Sequence, residues 1–107
     1  MDDLVVLYTT WPDAETAQAA GLAAVAAKLA ACANILAPMT AIYRWKGELH
    51  RETETPMLLK TTVAAAGPLR DFILSRHPFE TPCLVALPCD PQASNPAFVR
   101  WVGEEIA

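Results

Sequence analysis

The stretch AIYRWKGELHRETETPMLLKTT, residues 41–62, constrains the fold of this chain more than any other. Its side chains alternate, with Ala41, Tyr43 and Trp45 on one side and Ile42, Arg44 and Lys46 on the other, which is the period of a strand. Lys46-Gly47 then supplies a two-residue turn in which glycine accepts a positive φ. A turn there places Trp45 opposite Glu48, and the same face gathers Tyr43, His50, Glu52 and Glu54. Proline cannot donate to a ladder, so Pro56 predicts a bulge or bend in the return strand. Beyond it, residues 57–61 rejoin the core and leave the outer part of the hairpin projecting.

The flanking segments supply the other layer. LVVLYTT (4–10) is an apolar run of strand length, punctuated by Trp11-Pro12-Asp13. Asp13 can cap a following helix, with Glu15 well placed in its first turn. Residues 14–31 are mostly alanine, and Leu22, Val25, Ala26 and Leu29 fall on one helical face. Small residues let such a face sit close to a sheet. The helix gives way near Cys32, and 33–36 leads to Pro38. After the hairpin, Gly67-Pro68 opens a second helix with Leu69, Phe72 and Ile73 as its buried face and Arg76 and His77 at its C-terminal end. HPFETPCLVALPC (77–89) reads as a turn feeding a buried strand over 83–89. Asn95-Pro96 caps and starts a last helix whose apolar face is Phe98, Trp101 and Val102.

The order is β-α-β-β-α-β with a terminal helix. It predicts an α+β, ferredoxin-like antiparallel sandwich with an extra C-terminal helix and a long hairpin joining its second and third strands. Both long helices should cover one sheet face. A fold of this kind carries no function by itself.

At 107 residues the chain reads as one domain over 1–107. A chain of this size buries only about 65% of its unfolded surface alone. Its composition is 53% hydrophobic with mean hydropathy +0.23, so apolar surface is left over for a partner. A membrane is a poor candidate, because the uncharged stretch 16–27 is too short and alanine-rich to cross about 30 Å of hydrocarbon. The later uncharged run, 29–43, contains Asn34, Pro38 and Thr40. The start, MDDLVVLYTT, puts two aspartates where a signal peptide carries positive charge. The expectation is a soluble cytoplasmic protein that buries its surplus against copies of itself. A net charge of −4 without a basic cluster argues against a nucleic-acid partner, and ETPMLLKT lacks the aromatics on which RNA bases stack. The three cysteines form no C-x-x-C pair and read as reduced thiols. Ser75 and Ser94 lack an obvious base, and neither a phosphate loop nor an H-E-x-x-H motif occurs, so no enzyme is expected.

Several motifs occur in order between Val5 and Val102: TTWPDAETA, KLAACANI, IYRWKGEL, ETPMLLKT, RHPFETP, LVALP and NPAFVRW. Together they resemble the CutA family, named for divalent-cation tolerance. The resemblance implies a tightly packed homotrimer of ferredoxin-like subunits, and binding of or tolerance to copper and other divalent metals. The fold is also similar to that of PII signalling proteins, which sense small anions between subunits of a trimer. The chain departs from the family pattern at Phe79, where H-P-Y usually has tyrosine, and at Cys83, where a glutamate commonly follows. Pro56 replaces an ordinary strand residue.

Cys83 and Cys89, about 20 Å apart along one strand, cannot share an ion whose sulfur ligands lie at about 2.3 Å. Cys32, at the family's A-C-x-N position, can ligate Cu(I) as thiolate or serve as a small buried hydrophobe. His77 suits Cu(II) and Zn(II), or else meets free carbonyls at a helix end. Glu52 and Glu54 can hold a cation or simply keep a sheet edge soluble. These four are the expected metal ligands, in grooves between subunits lined by Tyr43, Trp45 and Lys60. The aromatics can instead pack into a neighbouring subunit, and Lys60 can pair with Glu54. His50 reads as solvated. Copper is the leading cofactor, with zinc and other divalent cations behind it. The alternatives are a PII-like trimer sensing a small anion through Lys60, and a structural trimer without ligand.

Overall fold

A computed structural model describes residues 3–107; Met1 and Asp2, part of the start weighed against a signal peptide, lie outside the described residues. The elements are β1 (Leu4–Trp11), α1 (Ala14–Ala26), β2 (Cys32–Ile35), β3 (Met39–Trp45), β4 (Glu48–Thr62), α2 (Val63–Arg76), β5 (Leu84–Pro88) and α3 (Pro96–Glu105). One five-stranded antiparallel sheet runs β2-β4-β1-β5, with β3 paired to β4 alone. This is the expected ferredoxin-like order, with short β2 added ahead of the hairpin.

β4 organises the sheet. Its inner part pairs with β1 from Thr55 to Thr62 and with β2 from Met57 to Lys60, while its outer part pairs with β3 from Glu48 to Glu54. The turn falls at Lys46 and Gly47, at φ 50 and 81, and Trp45 faces Glu48 as expected. A strand period of two then fixes the faces. Val5, Leu7, Thr9, Trp11, Met57, Leu59 and Thr61 point to the helix layer and are buried. The alternate residues point to the opposite, open face. The outer hairpin extends beyond the core, so the radius of gyration is 14.4 Å against about 13 Å for a compact chain of this length.

Pro56 does not interrupt β4. The strand continues through it, opposite Thr10, and the Pro56 carbonyl accepts from Leu36 N–H at 3.0 Å. N–H and C=O of one strand residue point the same way, so the missing donor faces the short link from β2 to β3. The expected bulge is replaced by a change of partner on that side, from β3 to β2.

α1 corrects a second expectation. Its inner face is Ala17, Ala20, Gly21 and Ala24, spaced i, i+3, i+4 and i+7, whereas Leu22 is 75% exposed. The cause is close seating: a β-carbon on Gly21 would lie 2.9 Å from Met57 Sδ and 3.0 Å from Ala33 Cβ. Asp13 caps the helix, accepting from Thr16 N–H at 2.8 Å. The helix stops at Ala26 and not near 31. Lys28 adopts φ 60 and donates to the Val25 carbonyl, while Leu29 N–H reaches Ala24 O. That pair of bonds closes a helix end, normally with glycine in the lysine's place.

α2 starts at Val63, before the Gly67-Pro68 pair, because Thr62 Oγ1 accepts from Ala65 N–H and caps it. Pro68 therefore lies inside the helix, and Leu69 and Ile73 are fully buried against β1 and β4. Burying side chains of this size contributes roughly 1.5–3 kcal/mol each. α3 begins at its Asn95 cap and crosses the end of the sheet. Phe98 reaches Lys60 on the open face, and Ala107 N–H donates to the Lys28 carbonyl beyond α1. β5 is an edge strand, and Val85 and Leu87 are 49% and 46% exposed. The buried strand expected over 83–89 is thus half-open on one side in a single chain, and Cys83 and Cys89 flank it.

Candidate functional site

The register places Cys32 opposite Lys60, Tyr43 opposite His50, and Trp45 opposite Glu48. By strand parity Cys32, Lys60, Glu52, Glu54, Tyr43 and Trp45 all lie on the open face. Their spread along β4 is large. Glu54 and Lys60 are six residues apart on one strand, about 20 Å, and Cys32 sits at the Lys60 end. Within one chain the thiol and the carboxylates do not meet. Among the described residues no group of three or more His, Cys, Asp and Glu side chains could hold a metal ion. Two surface clefts, of about 450 Å³ between α2 and α3 and about 360 Å³ beside residues 79–84, contain none of the expected site residues.

The carboxylate end of the face is a cluster. The Tyr43 and His50 rings stack at 5.1 Å with 13° between planes, and His50 Nδ1 lies 3.7 Å from Glu52 Oε1. The Tyr43 phenol is pushed above its ordinary 10.0, first by loss of hydration, then by Glu52 beside it and the charge of Glu54. It therefore stays neutral and able to donate across the physiological range. Glu54 is only 8% exposed, and among the described residues it has neither a hydrogen bond nor an ion-pair partner. Trp45, at the tip, carries Lys46 Nζ at 5.6 Å from its ring centre, and that ammonium also lies 3.7 Å from Glu80.

Lys60 does not pair with Glu54. Its ammonium lies 5.4 Å from the centre of the Phe98 ring, a cation–π contact provided by α3.

His77 is placed apart from the others, on the helix side of the sheet. Its ring stacks on buried Trp11 at 4.2 Å. Nδ1 accepts from Phe79 N–H at 3.1 Å, so the proton sits on Nε2, which meets the Thr10 carbonyl at 2.7 Å. Both nitrogens of this neutral imidazole are engaged, and neither is free for a metal. The ring instead ties the turn after α2 to the end of β1. Under it, Trp11 Nε1 donates to Thr9 Oγ1 at 2.8 Å, and that hydroxyl donates to Met57 O at 2.9 Å. His50, read as solvated, joins the carboxylate cluster instead; its shared parity with Glu52, together with the hairpin turn, is the sequence signal for this.

An antiparallel sheet with two helices on one face, a third across its end and a projecting hairpin defines a ferredoxin-like α+β protein whose candidate donors, His77 apart, occupy the sheet face away from the two long helices. Residues 5–105 match the family described as CutA1 divalent ion tolerance protein, and the chain belongs to that family. It is 45% identical to the divalent-cation tolerance protein CutA of Salmonella newport (strain SL254) over 104 residues, covering 97% of this chain and 89% of that one. CutA1 of Ehrlichia chaffeensis is similar with TM-score 0.90 at 36% identity, covering 100% of this chain and 98% of that one. A CutA of Archaeoglobus fulgidus, described as a periplasmic divalent cation tolerance protein, is similar with TM-score 0.91 at 30% identity over 97% of this chain and 99% of that one. The family is described by cation tolerance and not by a catalysed reaction. Among the described residues, no helix is long and apolar enough to cross a membrane.

Proposed function

We propose that the chain acts in divalent-cation tolerance as a homotrimer that binds metal ions, copper foremost, in grooves where the open face of one copy meets the next. The observation that carries this reading is the separation on that face. A soft sulfur, Cys32, lies at one end and two carboxylates, Glu54 and Glu52, lie about 20 and about 26 Å away, too far for one ion to be shared. A second copy laid across the face can bring the thiol of one chain to the carboxylates of another. Uncovered Val85 and Leu87 on it supply apolar area for that contact, and Ile42 and Leu49, at 74% and 71% exposure on the other side of the projecting hairpin, offer a second apolar surface to a neighbouring copy. The number three rests on the family resemblance. Tyr43, Trp45 and Lys60 line the groove, and no catalytic step is assigned. The three unpaired thiols favour a reducing, cytoplasmic compartment.

Calorimetric titration of Cu(II) into the native protein tests the reading. Saturable binding that weakens in Cys32→Ser and in Glu52→Gln supports it, and absence of binding contradicts it. A second reading, a PII-like sensor of a small anion, is favoured by Lys60, which has no carboxylate partner among the described residues. Heat from an added nucleotide, lost in Lys60→Ala, is its signature. Silence toward both leaves a structural trimer.

A further inference from the structure

At the end of β4 opposite the hairpin, a cleft of about 450 Å³ opens between α2 and α3. Small-molecule sites span about 300–1,000 Å³, so a compact ligand fits it. The cleft shares no residue with the candidate metal donors. Leu29, Pro68 and Ile106 give it apolar surface, and Arg100, Gly103 and Glu104 line it from one face of α3, at i, i+3 and i+4. Neither Arg100 nor Glu104 has an ion-pair partner among the described residues, although their spacing would let them meet.

The backbone adds polarity of its own. The first turn of α2 borders the cleft, and so does the last turn of α3. Partial positive charge gathers at a helix N-terminus and partial negative charge at a C-terminus. The start of α2 and Arg100 therefore favour an anion, while Glu104 and the end of α3 favour a cation. Gly103 is a further sign. Glycine inside a helix is less stable than alanine, yet a β-carbon added there would meet nothing within 4 Å. No described neighbour excludes a side chain at this position, and its absence leaves the cleft open between the two charges.

We propose that this cleft binds a free α-amino acid with a large apolar side chain. The carboxylate pairs with Arg100 near the start of α2, the ammonium pairs with Glu104, and the side chain covers Leu29, Pro68 and Ile106. A ligand bearing both charges answers both lining groups, whereas an apolar amine or a simple carboxylate leaves one of them without a partner. The proposal does not depend on the metal-binding reading.

The test is calorimetric titration of L-leucine and L-phenylalanine into the native full chain without added metal. Isocaproate and isoamylamine serve as leucine analogues lacking the ammonium and the carboxylate. Saturable amino-acid binding is expected, weakened about tenfold or more in Arg100→Gln, in Glu104→Gln and for each analogue. Both side chains are exposed, so the circular dichroism melts of these variants should match the parent. Gly103→Leu should melt no lower than the parent and yet lose most of the binding, because its side chain fills the open wall. Isocaproate binding as tightly as leucine would reduce the cleft to an anion site and overturn the proposal. Undiminished binding in Arg100→Gln and Gly103→Leu would place the ligand elsewhere and overturn it as well. So would the absence of binding by both amino acids.

Discussion

From Met57 to Thr62, β4 lies between β1 and β2, and Met57, Leu59 and Thr61 are wholly enclosed. From Glu48 to Thr53 the same strand has β3 as its only paired neighbour among the described residues, Leu49 is 71% exposed, and its even-numbered residues are Glu48, His50 and Glu52. The inner half holds the fold by burial and by a tightly seated helix. The outer half contributes little to a single chain's core, yet it carries the acidic and imidazole groups that can act on a ligand. One continuous strand couples them: the inner half fixes the register by which Tyr43 meets His50 and Glu52 shares their face.

The largest expected effect lies in the inner half. Leu59→Ala empties a fully enclosed site and should lower stability by roughly 2–5 kcal/mol in urea unfolding at fixed protein concentration. A loss below 1 kcal/mol would break the contrast between the halves. Next is Gly21→Ala, which sets alanine's helix preference of about 1 kcal/mol against a β-carbon 3.0 Å from Ala33 Cβ. Ala33 Cβ is fixed to the backbone of β2, so the helix must lift, and a net loss of about 1–3 kcal/mol is expected by thermal melting. A stabilised variant would show that α1 is not seated so closely.

In the outer half, replacing Ile42 and Leu49 with glutamate should shift the particle mass from oligomer to monomer in light scattering. Circular dichroism of that monomer should keep the sheet and helix signals, since neither side chain enters the core. Loss of the fold would move the boundary between the halves outward. The smallest effect is at the α1 cap. The Thr16 N–H holds the Asp13 carboxyl below its ordinary 3.8, so the stability it lends is full above that value and fades as pH falls through the lower folded value. Asp13→Asn keeps an acceptor that does not titrate, and its thermal stability should vary less between pH 4 and pH 2, about the carboxylate range, than the parent's.

Local chemistry made part of this legible in the sequence. Lys46-Gly47 gave the turn, and period-two alternation gave Trp45 its partner and gathered Tyr43, His50, Glu52 and Glu54. Asp13 and Asn95 marked helix starts by their side-chain acceptors. Readings that depended on tertiary contact failed. Leu22 and Val25 look like a buried stripe, but the sheet admits only the small face of α1 at that distance. Thr62 reads as the end of a strand and is also a cap, so α2 starts earlier than the Gly67-Pro68 pair suggests. His77 looks like a free ligand along the chain. Only the return of α2 to the end of β1 delivers it to Trp11, Thr10 O and Phe79 N–H. Whether LVALP is buried depends on what covers the edge strand, which a single chain does not supply.

Sedimentation equilibrium of dilute native protein tests most directly whether other copies complete the open face and hairpin. A particle of about three times the 11.6 kDa chain mass is predicted, reverting to a folded monomer when Ile42 and Leu49 are made charged. A stable, folded particle of 11.6 kDa for the unaltered chain would contradict it.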